Sequence, residues 1–452
     1  MNFPNLKILA AAATASLLAG AHVAARAQTW TLEKCIERAI ANNLSIKMEE
    51  ISHESKAVNL HTAKASRLPS LSAGVDQSFS FGSVEDTRGA ISKQKMTSNI
   101  SFSASSSMPL FTGFQLSNEI KVRQYSVMAA EESLKRAKEN IAVAVARAFL
   151  DVLLKKEIYK ISEETLSFTS GNVKKTEVMV STGNVPLAQL YEIKSQQASD
   201  EARVTSAGND VSLSLLTLGQ LLELSDLSSF DIELPTLPDS TALLLEAEIP
   251  SSEKIYSQAL SVKPQIREAE LQLEGSKYTL KVAESGYWPQ LSLSMGISDR
   301  YFRANNPLRP DEGFSTQLGD NLQEYVGLSL RIPVFNRFAT RNSVRSAQID
   351  IRNRQLALED VKKTLYKEIQ QAYHNAVAAQ KSYRAAQKSV EAAREAFRYA
   401  DSKYQTGKSS VYEFTEAKAT LTRSLSEESQ AKYSYIFATK ILDFYSGRPV
   451  EL

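Results

Sequence analysis

Met108-Pro109-Leu110-Phe111-Thr112-Gly113-Phe114 and Ile332-Pro333-Val334-Phe335-Asn336-Arg337-Phe338 decide how this chain is read, because they are one phrase written twice. Phe111 meets Phe335 at a spacing of 224 residues, and the spacing holds downstream. Asn118 meets Asn342, Gln124 meets Gln348, Thr182-Gly183 meets Thr406-Gly407, Glu192 meets Glu416 and Lys194 meets Lys418. Upstream, Leu68-Pro69-Ser70-Leu71 meets Trp288-Pro289-Gln290-Leu291 at a spacing of 220, so the second copy carries the longer loop between these anchors. The chain reads as two repeats, residues 28–246 and 247–452. Each runs helix, strand, loop, strand, long helix, return helix.

The strands are expected at about 70–82, 97–110, 290–302 and 322–334, and they alternate cleanly. Leu71, Ala73, Val75, Gln77 and Phe79 share one face; Ser70, Ser72, Gly74, Asp76 and Ser78 share the other. Leu291, Leu293, Met295 and Ile297 alternate with Ser292, Ser294, Gly296 and Ser298 in the same way. One apolar and one small polar face means a half-buried sheet, and about 10 residues suffice to cross an outer membrane on a tilt. Aromatics at the strand ends (Phe111, Trp288, Phe335; Phe79, Phe81, Tyr301, Phe302) fit interfacial girdles. The polar segments 83–96 and 303–320 between paired strands are expected to be external loops.

Beyond the strands the period changes. Ile120, Val127, Leu134, Ile141 and Ala148 recur every seven residues, as do Val344, Ile351, Leu358, Leu365, Ala372 and then Ala379, Ala386, Ala393, Ala400. Sustained heptads predict supercoiled helices, and the alanines predict close approach. A helix over 114–180 rises about 100 Å. It reverses at Thr182-Gly183-Asn184 into a shorter helix, 185–223. Residues 252–284 are expected to continue that helix end to end. Residues 30–66 are expected to stack on 410–446 in the other copy.

The bulk numbers narrow the classes. The chain has 452 residues and a net charge of +2, so no basic excess points to a nucleic acid. Glycine (17) and proline (13) are scarce, which favours long helices. Lys7, the apolar run 8–18 and Ala25-Arg26-Ala27 read as a signal peptide over 1–27. Cys35, the single cysteine, follows Leu32-Glu33-Lys34, which is not a lipidation context, and it has no disulfide partner in the chain. No later stretch approaches 18 apolar residues, so a membrane would be met by strands or at its surface. Four strands cannot close a barrel in lipid, where open edges are not tolerated. The chain must therefore oligomerise, and three copies would supply twelve strands.

At this point the pattern resembles the TolC family of outer-membrane efflux and secretion ducts, over essentially the whole mature chain. The carriers are Pro69-Ser70-Leu71 and Pro289-Gln290-Leu291 at strand entry, and Pro109-Leu110-Phe111 and Pro333-Val334-Phe335 at strand exit. The tip segments Val180 to Val185 and Tyr404 to Val411 complete them. The resemblance implies a mainly α fold with membrane β: a homotrimer with a 12-stranded barrel continued by a coiled-coil periplasmic tunnel. It also implies tips (Gly183, Asn184, Val185; Gly407, Lys408, Ser409) that dock on a periplasmic adaptor joined to an inner-membrane transporter. Pro69, Pro109, Phe111, Pro289, Pro333 and Phe335 would mark the barrel–tunnel junction. The chain departs from the family at Asn43-Leu44, where relatives often carry Asn-Pro; the second copy keeps Pro264.

No catalytic, cofactor or metal site is read. His53 and His61 are eight apart with no cysteine near, His22 leaves with the signal, and His374 is isolated. Gly407-Lys408-Ser409 lacks the leading glycine of a P-loop, since position 402 is Ser. Glu413 and Glu416 share a helix face just past the second tip. The resemblance makes them, with Glu192, a carboxylate ring at the tunnel's closed end, where acid rings favour cations; an ordinary helix N-terminal charge is the simpler reading. Two functions stay open: a passive export duct, or an outer-membrane-anchored periplasmic coiled-coil protein with a structural or adhesive role. The serine-lined strand face favours the duct.

Overall fold

The computed structural model describes residues 29–82, 84–85, 91–92, 96–233, 249–303, 312–406 and 408–448. The helices are α1 (Leu32–Asn42), α2 (Leu44–Ala65), α3 (Gln115–Ser181), α4 (Leu187–Leu221), α5 (Ser252–Val262), α6 (Pro264–Glu284), α7 (Phe314–Asp320), α8 (Ala339–Gln405) and α9 (Val411–Tyr445). The strands are β1 (Thr29–Trp30), β2 (Ser70–Ser80), β3 (Val84–Glu85), β4 (Ile91–Ser92), β5 (Thr97–Phe111), β6 (Asp231–Ile232), β7 (Gln290–Arg303) and β8 (Gln323–Arg331). The signal segment 1–27 and Gly407 lie outside the described residues. α3 and α8 are each 67 residues long, and α4 and α9 each 35.

The sheet has the order β2-β5-β7-β8, antiparallel throughout. Its register carries each strand's alternation across the whole sheet. Val75, Phe102 and Asp299 share one row; Ala73, Ala104 and Ile297 share the next row on that face. The apolar face is open: Leu71, Val75, Val326 and Leu328 are all exposed. Two details differ from the sequence reading. β8 stops at Arg331, because Pro333 has no N–H for a ladder. Within the segment read as a loop over 303–320 stands α7. The Gln317 side chain accepts from Phe302 N and donates to Phe302 O, at 2.9 and 3.0 Å. Its amide thus imitates a strand rung beyond Ser298, where β8 has not yet begun.

The helix ends reveal a correction. Residues 252–284 were expected to stack on 185–223, and 30–66 on 410–446; the structure has the opposite arrangement. α4 ends with Glu223 left-handed (φ 53°) and Leu224 N donating to Gly219 O at 3.0 Å. Against that end sits the α1–α2 break, where Asn43 Nδ2 donates to Leu221 O at 3.2 Å. So α2 continues the line of α4. The second copy repeats the joint. α9 ends with Gly447 at φ 84° and Arg448 N on Asp443 O at 3.0 Å. Val262 packs at Gly447, and the buried Lys263 Nζ lies 3.2 Å over the Phe444 ring and 3.1 Å from Glu139. So α6 continues α9. Lengths alone permit either pairing; the end caps choose. The first copy also keeps the bend without proline, since Asn43 caps α2 through Ser45 N at 3.0 Å.

Across the tunnel the packed order is α4, α3, α9, α8 toward the tips and α2, α3, α6, α8 toward the sheet. The alanine-rich heptad of α8 is never exposed, and Leu365, Ala372 and Ala393 are buried. Midway, α1 and the parallel pair β1–β6 pack on α3, burying Cys35, Phe149, Val152, Leu218 and Ile232.

Candidate channel surfaces

The polar face of the sheet is built from serine. Ser70, Ser107, Ser294 and Gly327 form one row, and Ser72, Ser105, Gly296 and Tyr325 the next. Hydroxyls bridge β2 and β5 directly, Ser70 to Ser107 and Ser72 to Ser105, each at 3.2 Å. Such a wall is wetted and narrow in side chain, suited to line water beside lipid.

Each strand exit is a corner with two successive left-handed residues, Gly113 and Phe114 (φ 61° and 66°) and Arg337 and Phe338 (φ 55° and 62°). A Cβ on Gly113 would lie 2.5 Å from the Cβ of Trp288, so glycine is needed there. The corner stacks Phe111 edge-on to Phe114 at 5.4 Å, and Phe335 to Phe338 at 5.5 Å. Phe114, Trp288 and Phe335 remain exposed, an aromatic band between sheet and tunnel. Pro109 sits at a β-bulge, and Pro69 and Pro289 each precede a strand.

At the first tip Gly183 is left-handed (φ 72°), and Asn184 N donates to Met179 O at 2.8 Å before Val185 and Pro186 lead into α4. At the second, Lys408 N donates to Lys403 O at 2.9 Å, the same closure 224 residues on. Glu413 sits in the first turn of α9. Its backbone N–H is capped by Ser410 Oγ at 3.2 Å, and its carboxylate accepts from Ser409 Oγ at 2.6 Å. It therefore serves the helix start as well as the surface. Glu416 and Glu192 are exposed on α9 and α4. Glu416 borders a groove beside Arg203 and Arg423.

Sequence reasoning missed the most buried ion pair among the described residues. Lys418 Nζ lies 2.6 Å from Asp200 Oδ2 and also donates to Thr169 Oγ1; Thr169 donates to Asp200 at 2.6 Å, and Gln196 to its other oxygen at 3.0 Å. Both charged side chains are almost wholly enclosed. Burial holds the Lys418 ammonium below the usual lysine range, against the pull of Asp200. The knot ties α3 and α4 of the first repeat to α9 of the second. A signal was available: Lys418 is the repeat partner of Lys194, which pairs at 2.8 Å with Glu177 of its own hairpin. The residue equivalent to Glu177 is Asp401, whose Oδ1 is buried without a hydrogen bond. In the second repeat the lysine has changed partner.

A profile described as outer membrane efflux protein matches residues 35–223 and 255–448, both copies in turn. The chain belongs to the outer membrane efflux protein family. This efflux protein is 21% identical over 383 residues to the outer membrane efflux protein BepC of Brucella suis, covering 84% of the chain and 77% of BepC. It is 20% identical over 419 residues to the outer membrane protein TolC of Escherichia coli, covering 90% and 80%. Its fold matches a crystal structure of CusC with a TM-score of 0.75 at 19% identity, over 92% of each chain. It matches the Campylobacter jejuni CmeC outer membrane channel, also at 0.75, at 18% identity over 93% and 87%. The TolC resemblance, the α-helical tunnel with its membrane sheet, the outer-membrane location and the role in efflux all stand on these matches. The family is one of efflux proteins, not of enzymes.

Proposed function

We propose that three copies of this efflux protein close a twelve-stranded barrel and a tunnel, forming a passive duct fed by a periplasmic adaptor and an inner-membrane transporter. The observation that carries the reading is the sheet. It is exposed and apolar on one face, serine-lined on the other, and bounded by unpaired edges at β2 and β8. A lone chain would leave those edges open in lipid, which backbone polar groups do not tolerate. The flanks agree. α2 exposes a stripe of Leu44, Met48, Ile51 and Val58 on one side of the chain, and α8 exposes Ile349 and Leu356 on the other. Such unlike surfaces suit a closed ring of identical copies.

In this reading residues 28–246 and 247–452 are the two repeats behind a signal peptide, and the trimer has approximate sixfold regularity. Gly183, Asn184, Val185, Gly407, Lys408 and Ser409 form the adaptor-docking tips. Glu413, Glu416 and Glu192 line the constriction. Pro69, Pro109, Phe111, Pro289, Pro333 and Phe335 shape the barrel–tunnel junction. Detergent-extracted protein is expected to sediment as a trimer with mixed helix and strand signal. A monodisperse monomer of native helicity would sink the shared barrel.

A further inference from the structure

Among the described residues, the polar face of the sheet is nearly free of charge. Its exceptions are Asp76 on β2, Arg300 on β7 and Arg331 on β8. Asp76 pairs with Ser101, and Ser101 with Arg300, so the acid and the base stand in one cross-strand row. The Asp76 carboxylate leans on the serine side, since a Cβ at Gly74 would lie 3.7 Å from Ser103 Oγ and 4.0 Å from Asp76 Oδ2. Both charged residues are exposed. The flanking rows are neutral: Gly74, Ser103 and Ser298 below, Ser78, Asn99 and Phe302 above. Asp299, Arg303 and Glu324 lie at similar height on the opposite, apolar face.

We infer that Asp76 and Arg300 form an acid–base girdle near the outer end of the duct, a second charged zone that meets cargo and is balanced so that the exit favours neither sign. The inference rests on the channel reading above. Each chain contributes one acid and one base about 10 Å apart, two strand spacings. A closed ring of copies therefore alternates in sign and sums to zero. Arg331 stands ten residues along the ladder from Arg300, about 34 Å away, beyond the Debye length of about 8 Å at physiological salt. It is a constant background in every comparison below. Close to the wall each girdle charge acts alone, while across the lumen the two signs cancel. Cargo of either charge can leave, and cargo bearing both signs finds partners for both. Discrimination by sign is then left to the tunnel end.

The test is the reversal potential of purified protein in planar bilayers under a dilute potassium chloride gradient, where the Debye length reaches about 30 Å. Asp76→Asn is expected to shift the permeability ratio toward chloride by about twofold, the Boltzmann weight of a unit charge at about 10 Å in water. Arg300→Gln is expected to shift it toward potassium by a similar factor, and the double variant to return near the parent. Asp76→Ser and Arg300→Ser, which only extend the serine rows, are expected to repeat the pattern if the first pair assembles poorly. Single variants that leave the ratio unmoved, or move it the same way, overturn the girdle while the parent still conducts. A parent that never conducts overturns the channel reading itself.

Discussion

At the scale of single residues, the knot of Lys418, Asp200 and Thr169 has the highest stakes. A buried pair loses heavily when one partner goes, because the other charge stays buried. Asp200→Asn is expected to destabilise the protein by about 3–5 kcal/mol, whereas Asp200→Leu with Lys418→Met is expected to recover most of that loss. Thermal melts followed by helix dichroism would show it. The pH sign follows from the lysine. Its folded-state affinity for protons is depressed by burial, so in the window below its ordinary value of 10.5 the unfolded chain holds the proton longer, and stability rises with pH. That rise is expected to vanish in Lys418→Met. Cys35 gives a second residue-scale outcome. Burial pushes its thiol up to about 12, so the native protein is expected to resist maleimide until it is unfolded. Reaction at the native rate of a free thiol would contradict the packed core around it. Spacing was enough to put Glu413 and Glu416 on one helix face just past the second tip, and Glu413 does stand in the first turn of α9. The Lys418 knot was not legible, because Asp200 and Thr169 lie 218 and 249 residues from the lysine and no local pattern links them to it.

At the scale of elements, the strand-exit corners offer a comparison inside one molecule. Gly113 and Arg337 occupy the same left-handed position in the two repeats. Arg337→Gly is expected to stabilise by up to about 1 kcal/mol, the left-handed penalty of about 1–2 kcal/mol less the entropy glycine loses on folding. Gly113→Ala is expected to cost about 1–3 kcal/mol through strain and the clash with Trp288. Chemical denaturation of the two variants decides the sign of each. At the first tip, Gly183 has open space around it but a φ of 72°. Gly183→Val with Gly407→Val is therefore expected to impair export in cells while trimers still reach the membrane. Wild-type export would take the tips out of the mechanism. Heptads and alternation made the long helices and four strands legible almost to their ends. α7 was not, because seven residues, Phe-Ser-Thr-Gln-Leu-Gly-Asp, are too few to show a period. The end-to-end pairing of helices was misread because it depends on caps at Glu223 and Gly447, not on length.

At the scale of the whole molecule, the proposed trimer would make selectivity a property of the assembly. If Glu413, Glu416 and Glu192 of three chains surround one opening, like charges held close attract cations. Glu413→Gln with Glu416→Gln is expected to lose most of the cation preference and to bind trivalent blockers more weakly, with Glu427→Gln and Glu428→Gln changing less. Unchanged block would leave Glu413 as the partner of Ser409 and nothing more.

The two 67-residue helices also act as a ruler. Equal in length and rooted in matching corners, they set both tips at one level, about 100 Å from the sheet. Removing one heptad from α3 alone would lift one tip by about 10 Å and, in the proposed trimer, tilt every second pillar of the ring. Removing it from both would give a shorter duct with a level end. In the proposed duct, changes of length are therefore tolerable only in pairs, and its reach toward an inner-membrane partner could be retuned only by editing both halves together.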